Sequence, residues 1–140
     1  MIILDTNVVS EPLKPAPHAA VLRWLDAQAP ETLYLTTINQ AELLAGIAAM
    51  PQGRRREALA QALSNQVLAL FEGRILPFDA KAAATFATTF AGAQGQGNPI
   101  GFADCAIAAI ARAHGFAVAT RNVRDFKGTD VDVIDPWAFV

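Results

Sequence analysis

The sequence predicts an α/β fold around a mainly parallel sheet of about five strands. Short apolar runs of strand length alternate along the chain with longer segments of helical periodicity, an order typical of repeated strand–helix units. Prolines and glycines mark the ends of many of these segments. The chain of 140 residues is long enough for one domain and leaves little room for two, so we expect a single domain over residues 1–140.

Five short segments have the composition of strands. Residues 2–4 form an apolar run that ends at Asp5 and has the pattern of a fully buried strand. The other strand candidates are residues 33–36, 74–78, 116–120 and 131–134. Residues 12–17 contain three prolines and are predicted to form a loop after the first strand.

Helices are predicted between the strands, over residues 18–28, 37–49, 54–71, 80–93 and 102–114. Thr37 and Gln40 have the spacing of a capping box at the start of the second helix, and Asp79 is placed to cap the fourth. Gly115 is expected to end the last helix. Residues 92–101 contain four glycines and are expected to form a loop.

The helix over residues 54–71 is the clearest amphipathic helix in the chain. Leu59, Leu63, Val67 and Leu70 recur at helical spacing and are expected to face the core. Apolar surface left exposed next to this helix is a candidate site for a partner protein.

Composition excludes several classes of protein. Hydrophobic residues make up 53% of the chain and charged residues 17%, which excludes intrinsic disorder. No run of about 20 apolar residues exists, so no membrane span is expected, and the N-terminus lacks the basic region of a secretory signal. The one cysteine, Cys105, has no partner for an internal disulfide and is expected to be packed rather than nucleophilic. We therefore expect a soluble, cytoplasmic protein.

The weak net charge limits how the chain can bind a polyanion. It has 11 basic and 13 acidic residues and a net charge of −2, which is not typical of a protein that coats nucleic acid. A polyanionic substrate must therefore be bound by local positive charges or through a metal ion. Arg54, Arg55 and Arg56 form a local basic cluster, which is either the solvated start of a helix or a surface for phosphate groups.

Four carboxylates are predicted to meet at one edge of the sheet. Asp5 follows the first strand, and Glu42 lies early in the helix after the second strand. Asp104 lies in the first turn of the last helix, and Asp125 lies beyond the fourth strand. Carboxylates that converge repel one another, and a divalent cation relieves the repulsion, with Mg²⁺ or Mn²⁺ best suited to these hard oxygen donors. Taken singly, Asp5 is also typical of a turn and Asp104 of a helix cap.

Four segments that carry these acids resemble the motifs of PIN-domain ribonucleases, and more closely those of the VapC and FitB-type toxins of bacterial type II toxin–antitoxin systems. The segments are residues 3–10 (ILDTNVVS), 41–47 (AELLAGI), 102–109 (FADCAIAA) and 119–126 (ATRNVRDF). Their order and spacing agree with the family from residue 2 to about Trp137, which is nearly the whole chain. Four ordered motifs are much more specific than the run Leu-Asp-Thr-Asn alone.

The resemblance implies a three-layer α/β/α PIN fold and metal-dependent cleavage of RNA phosphodiester bonds. It implies that Asp5, Glu42 and Asp104 form an acidic core around Mg²⁺ or Mn²⁺. Family members place their fourth acid at one of two positions, which are Asn122 and Asp125 in this chain. We expect Asp125 to be the fourth carboxylate, because Asn122 adds no charge and can ligate only through its carbonyl oxygen.

Other side chains are expected to support this site. Thr6 and Thr120 can orient a carboxylate or a bound water through their hydroxyl groups. Arg121 and Arg124 flank the fourth motif and are expected to contact an RNA phosphate, with the arginine cluster at residues 54–56 as a further candidate.

The resemblance also implies partners. One is a cognate antitoxin of the VapB or FitA type, whose C-terminal segment wraps the toxin and blocks the acidic pocket. The others are a second copy of the chain, in a homodimer, and an RNA substrate. DNA is expected to be bound only through the antitoxin, which agrees with the weak charge of this chain.

Two other functions fit parts of the pattern. In a haloacid-dehalogenase-like phosphatase, Asp5 would be a covalent nucleophile. Such enzymes place a second aspartate where this chain has Asn7, and the usual downstream lysine is not evident. The other alternative is a non-catalytic PIN-like protein that only binds a partner, and the retained acids argue against it.

Overall fold

A parallel sheet of five strands organises the computed structural model, which describes residues 1–140. The strands are β1 (Ile2–Leu4), β2 (Leu33–Thr36), β3 (Ile75–Leu76), β4 (Ala117–Ala119) and β5 (Val133–Ile134). Their order across the sheet is β3-β2-β1-β4-β5, and every neighbouring pair is parallel. The predicted fold class is confirmed.

The central strand, β1, is apolar because both of its faces are covered. Ile3 and Leu4 are both buried, and successive strand residues point to opposite faces of the sheet. Ile3 packs into one hydrophobic cluster and Leu4 into another. Since β1 lies between β2 and β4, Asp5 follows it at the middle of the sheet edge.

Six helices cover the two faces of the sheet: α1 (Thr6–Ser10), α2 (Ala19–Asp26), α3 (Thr37–Ala48), α4 (Arg54–Ala62), α5 (Ala80–Gly95) and α6 (Phe102–His114). On the side of Leu4, α1 contributes Val8 to the core. On the side of Ile3, α5 contributes Ala82 and α6 contributes Ile107. The chain therefore has the three expected layers, with helices on both sides of a sheet.

The last helix, α6, packs deeply because its inner residues are small. Residues 105–111 are all fully buried, Cys105 among them, and four of these seven residues are alanine. The helix ends at Gly115, which has the left-handed conformation with φ 71°. The predicted span, its glycine cap and the packed position of Cys105 are confirmed.

The start of α3 differs from the prediction by one residue. The capping box is formed by Thr36 and Asn39, not by Thr37 and Gln40. Thr36 has extended backbone, with φ −117° and ψ 162°, whereas Thr37 is already helical, and the N-cap residue is the last one outside the helix.

The segment after β1 also differs from the prediction. Only a proline-rich loop was expected there, but α1 and a 3₁₀ turn at Glu11–Leu13 follow the strand directly. Pro12 is in the first turn of this 3₁₀ segment. A backbone N–H at that position would have no hydrogen-bond partner within the helix, so proline fits there without the loss of a bond.

The helix predicted over residues 54–71 is interrupted. After α4 the backbone continues as a π-helical stretch, Leu63–Leu68. A π-turn is wider than an α-turn, so later residues shift around the helix axis. Leu63 is buried as predicted, but Leu70 is 67% exposed, and its predicted place in the core is wrong.

The glycine-rich loop is shorter than predicted, because α5 continues to Gly95. A Cβ at Gly92 would lie 3.5 Å from the carbonyl oxygen of Gly128, so this glycine marks a close backbone contact within a helix. Separately, none of the helices combines the length and the hydropathy that crossing a bilayer requires.

Two glycines provide a matched test of backbone conformation. A Cβ at Gly115 or at Gly46 would meet no atom within 4 Å, but only Gly115 has a positive φ. We expect Gly115→Ala to lower the free energy of unfolding by about 1 kcal/mol. Gly46→Ala, inside α3, is expected to raise it by about 0.5 kcal/mol. Urea denaturation measures both, and equal effects would contradict this account.

Candidate active site

Asp5 is the buried acid at the centre of the site. It directly follows β1, its N–H donates to the carbonyl of Ala119 at 2.9 Å, and the residue is only 4% exposed. Its carboxylate accepts three hydrogen bonds, from the N–H of Thr6 at 2.8 Å, the hydroxyl of Thr120 at 2.7 Å and the amide of Asn7 at 3.3 Å. Burial raises the pKa of Asp5 above its ordinary value, although these hydrogen bonds act in the opposite direction.

Backbone groups determine the direction of two of these hydrogen bonds. The hydroxyl of Thr120 accepts from the N–H of Asn122 at 3.0 Å, so its own proton is free for Asp5. The amide oxygen of Asn7 accepts from the N–H of Arg121 at 3.2 Å, which turns the NH₂ group of Asn7 toward Asp5. The segment after β4 is thereby bound to the end of β1.

Glu42 lies on α3, near the end of β2, and is exposed. Its Oε1 accepts a hydrogen bond from the hydroxyl of Thr6 at 2.7 Å. Thr6 therefore contacts two acids, Asp5 through its backbone N–H and Glu42 through its side chain. The role expected of the Thr6 and Thr120 hydroxyl groups, orienting carboxylates, matches their contacts.

Asp104 is half-buried in the first turn of α6, and the N-cap of that helix is Gly101, which has no side chain to form a cap hydrogen bond. Burial, followed by the negative charges of Asp5, Asp125 and Glu42, raises the pKa of Asp104 to about 6. Asp104 therefore lies within the electrostatic field of the other three carboxylates.

Asp125 is exposed and lies in a 3₁₀ turn, Val123–Phe126, beyond β4. Its charge raises the pKa of both Asp5 and Asp104, after burial in each case. Asn122 is also exposed, and its contact to the site is its backbone N–H, which donates to Thr120. Of the two candidates for a fourth position, Asp125 is the one that adds charge.

The oxygen atoms of the four carboxylates fit a hydrated divalent cation. The ion pairs of the chain join Lys14 to Glu11 and Arg112 to Asp130, so no arginine or lysine neutralises the four acids. No three acidic, histidine or cysteine side chains stand close enough to form a direct ligand set. Mg²⁺ suits this spacing, because it keeps several of its waters and binds through one or two carboxylates.

A groove of about 650 Å³ opens beside Thr6 and Glu42, between the segment after α1 and helices α3 and α4. Its walls are largely apolar, with Leu43 and Ile47 from α3, and Arg55 also lines it. The groove provides exposed apolar surface next to residues 54–71, which is the kind of surface considered from the sequence as a candidate site for a partner protein.

The arginines predicted to contact RNA lie in different surroundings, and not all of them are near the acids. Arg55 lies on the groove wall, near Glu42. Arg124 is exposed on the same 3₁₀ turn as Asp125. Arg121 lies over the ring of Trp137, with 5.4 Å between its Cζ and the ring centroid.

The other two arginines of the cluster lie at the start of α4. Arg54 is exposed. Arg56 donates a long hydrogen bond, 3.5 Å, to the carbonyl of Met50.

Two asparagines of the site were not predicted from sequence. Asn7 bridges Asp5 and the backbone of Arg121, and Asn39 contacts Thr6 from inside the capping box. The signal for Asn7 was its position two residues after a strand-end aspartate. Asn39 follows Thr36 at capping-box spacing. This spacing could be recognised only with Thr36, not Thr37, as the N-cap of α3.

The raised pKa of Asp104 predicts a pH-dependent stability. An aspartate with an ordinary pKa of 3.8 in the unfolded chain and about 6 in the folded chain binds its proton more tightly when folded. The free energy of unfolding therefore falls as pH rises from 4 to 7, by on the order of 1 kcal/mol after allowance for solvent screening. We expect Asp104→Asn to remove most of this fall, as measured by urea denaturation in chelator at pH 4.5 and 7.5. An equal fall in the variant would contradict the assignment.

Comparison with known proteins identifies the family. A model of the PIN domain matches residues 2–131. The chain is 51% identical over 137 residues to VapC ribonuclease Y4jK of Sinorhizobium fredii, with 98% of each chain covered. It is 45% identical over 137 residues to Toxin FitB of Neisseria gonorrhoeae, with 98% of this chain and 99% of that protein covered.

Solved structures agree with this comparison. The crystal structure of FitAcB from Neisseria gonorrhoeae matches with a TM-score of 0.95 at 45% identity, over 99% of this chain and 100% of that one. The structure of FitAB bound to an IR36 DNA fragment matches with a TM-score of 0.96 at 43% identity, over 100% and 98%. Nothing in these comparisons supports the phosphatase alternative. The chain belongs to the PIN-domain family, among its VapC and FitB-type proteins.

Proposed function

We propose that the chain is a divalent-metal-dependent endoribonuclease and the toxin component of a toxin–antitoxin pair. The observation that carries the proposal is that Asp104 lies in the electrostatic field of three other carboxylates, those of Asp5, Glu42 and Asp125. No arginine or lysine forms an ion pair with any of the four. The relative named VapC ribonuclease supports the choice of RNA as the substrate, and the relative named Toxin FitB supports the role of a toxin.

In this proposal Asp5, Glu42 and Asp104 hold Mg²⁺ or Mn²⁺ partly through its bound waters, because no three of these side chains form a direct ligand set. Asp125 is the fourth carboxylate. When bound, the cation neutralises a non-bridging oxygen of the scissile phosphodiester and lowers the pKa of a coordinated water. Carboxylate oxygens are the donors that these ions prefer. Burial and, after it, repulsion from the other acids raise the pKa of Asp104, and a bound cation would relieve the repulsion.

The chain's own residues prepare this arrangement. Thr120 and Asn7 hold one carboxylate oxygen of Asp5, Oδ2, and the backbone of Thr6 holds the other. The hydroxyl of Thr6 holds one oxygen of Glu42 and leaves the second free. Acids fixed in advance in this way need little rearrangement when charge develops on a bound phosphate.

Positive side chains near the acids would contact the flanking phosphates of an RNA. Arg55, on the groove wall, and Arg124, beside Asp125, are the best placed. Arg121 would have to leave the ring of Trp137, and Arg54 and Arg56 are more remote candidates. Because the net charge is −2, RNA binding is expected to depend on these local charges and the cation.

A cognate antitoxin of the VapB or FitA type is the partner that we propose for the groove and the acidic site. The relatives of known structure are the complexes FitAcB and FitAB, the latter bound to DNA. We propose that DNA is bound through the antitoxin, that the toxin forms a homodimer, and that it acts in the cytoplasm, where RNA is accessible.

The nuclease proposal is tested by Asp104→Asn with a matched control. We expect this variant to lose at least about 100-fold in RNA cleavage, because it removes one of the acids expected to hold the cation. Asp79→Asn makes the same change at the cap of α5 and is expected to cleave at the rate of the wild type. Cleavage of a labelled RNA in Mg²⁺, Mn²⁺ and chelator is the measurement.

Two outcomes of that experiment would reject the nuclease proposal. One is cleavage that is equal in the wild type and Asp104→Asn and insensitive to chelator. The other is a folded wild type that cleaves no RNA with either metal, which would favour the non-catalytic alternative.

The homodimer is tested by the mass of the purified chain in solution. Light scattering after size-exclusion chromatography should give twice the mass of one chain at micromolar concentration. A monomer over the same range would reject this part of the proposal.

A further inference from the structure

Asn39 is completely buried in the first turn of α3, and both ends of its side-chain amide are hydrogen-bonded. Its oxygen accepts from the backbone N–H of Thr36 at 2.9 Å and from the hydroxyl of Thr36 at 2.7 Å. Its nitrogen donates to the hydroxyl oxygen of Thr6 at 3.2 Å. The amide thus connects the start of α3 to the residue that follows Asp5.

The orientation of this amide is fixed by chemistry. A backbone N–H can only donate, so the end of Asn39 that faces the N–H of Thr36 must be its oxygen. The other end is then the NH₂ group, which can only donate to Thr6. The hydroxyl of Thr36 accepts from the N–H of Asn39 at 3.1 Å, so its proton also points to the Asn39 oxygen.

This orientation determines where the proton of Thr6 goes. The Thr6 hydroxyl accepts from Asn39 and has one proton of its own to donate. Oε1 of Glu42 lies 2.7 Å away and receives it. A chain of donors therefore runs from the backbone of Thr36 through Asn39 and Thr6 to the carboxylate of Glu42.

We propose that Asn39 is a positioning residue, whose amide directs the Thr6 hydroxyl toward Glu42 and so fixes the orientation of that carboxylate. This inference rests on the proposed role of Glu42 in holding a cation. Glu42 is exposed on a helix surface, where a long side chain is otherwise free to change rotamer. With Oε1 occupied by Thr6, its second oxygen is left for the cation or a water.

Helix capping alone does not account for these contacts. The capping box requires only the backbone N–H and side-chain oxygen of Asn39 and the backbone N–H and hydroxyl of Thr36. The NH₂ group of Asn39 plays no part in that box, yet it donates to Thr6, which lies 33 residues away in sequence.

The substitution Asn39→Asp separates the two roles. It keeps the oxygen acceptor that caps α3 and replaces the NH₂ donor with a second acceptor. The Thr6 hydroxyl would then donate to the introduced carboxylate and release Glu42. Thr6→Val removes the same hydrogen bond directly. Asp79→Asn is a matched exchange at the cap of α5, where the carboxylate accepts from the N–H of Ala82 and takes no part in the hydrogen bonds between Asn39, Thr6 and Glu42.

A double-mutant cycle on RNA cleavage tests the proposal. We expect Asn39→Asp and Thr6→Val each to lower kcat by about 10-fold or more, with KM for RNA little changed. Asn39→Asp places a carboxylate at a buried position and is expected to lower the unfolding midpoint, so kcat is measured well below that midpoint, where the variant is folded. The double variant should be no slower than the slower single variant, because both act on one hydrogen bond. Losses that multiply, a full kcat in Asn39→Asp, or a loss as large in Asp79→Asn would overturn the proposal.

A second readout does not depend on cleavage, so failure of the proposed function can be distinguished from failure of this inference. In the metal-free protein, the carboxyl ¹³C resonance of Glu42 should shift in Asn39→Asp and in Thr6→Val. In the Thr6→Val background, Asn39→Asp should add no further shift. An equal shift in both backgrounds would indicate a through-space charge effect, and no shift would show that Glu42 has no such donor; either result would overturn the inference.

Discussion

The site is built around one electrostatic constraint, the burial of the Asp5 carboxylate at the end of a strand that is covered on both faces. Removing a carboxylate from water opposes its ionisation, and the pKa of Asp5 is raised accordingly. Hydrogen bonds from Thr6, Asn7 and Thr120 oppose that effect. Two of these donors are themselves oriented by backbone N–H groups of the segment after β4. The hydrogen bonds to this one buried carboxylate thereby connect β1, α1 and the loop after β4.

The four acids fall into two pairs with different surroundings. Asp5 and Glu42 are held by hydrogen bonds from residues whose own positions are fixed. Asp104 and Asp125 take part in no side-chain hydrogen bond or ion pair of that kind, and they act on the site mainly through charge. Such a division leaves two oriented carboxylates and two that are free to adjust, which suits a cation that retains part of its water shell.

Thr6 links the two oriented acids. Its backbone N–H donates to the Asp5 carboxylate and its hydroxyl donates to Glu42, so one residue connects the end of β1 to α3. The apolar groove is lined by Thr6 and Glu42, so a partner bound there would lie directly against Glu42. A function that is switched off by a bound protein is consistent with that proximity.

The sequence by itself determined where each acid lies along the chain and which type of element carries it, because strand ends, helix starts and apolar periodicity are local properties. The parallel sheet, α6 with its glycine cap and the convergence of Asp5 and Asp104 followed from those local patterns. Only the tertiary structure decided which atom faces which. Asn39 and Thr6 lie 33 residues apart, and Thr120 and Asp5 lie 115 apart. The direction of a hydrogen bond between such residues depends on how the segments pack, which no local pattern encodes. The same is true of the π-helical turn that leaves Leu70 exposed.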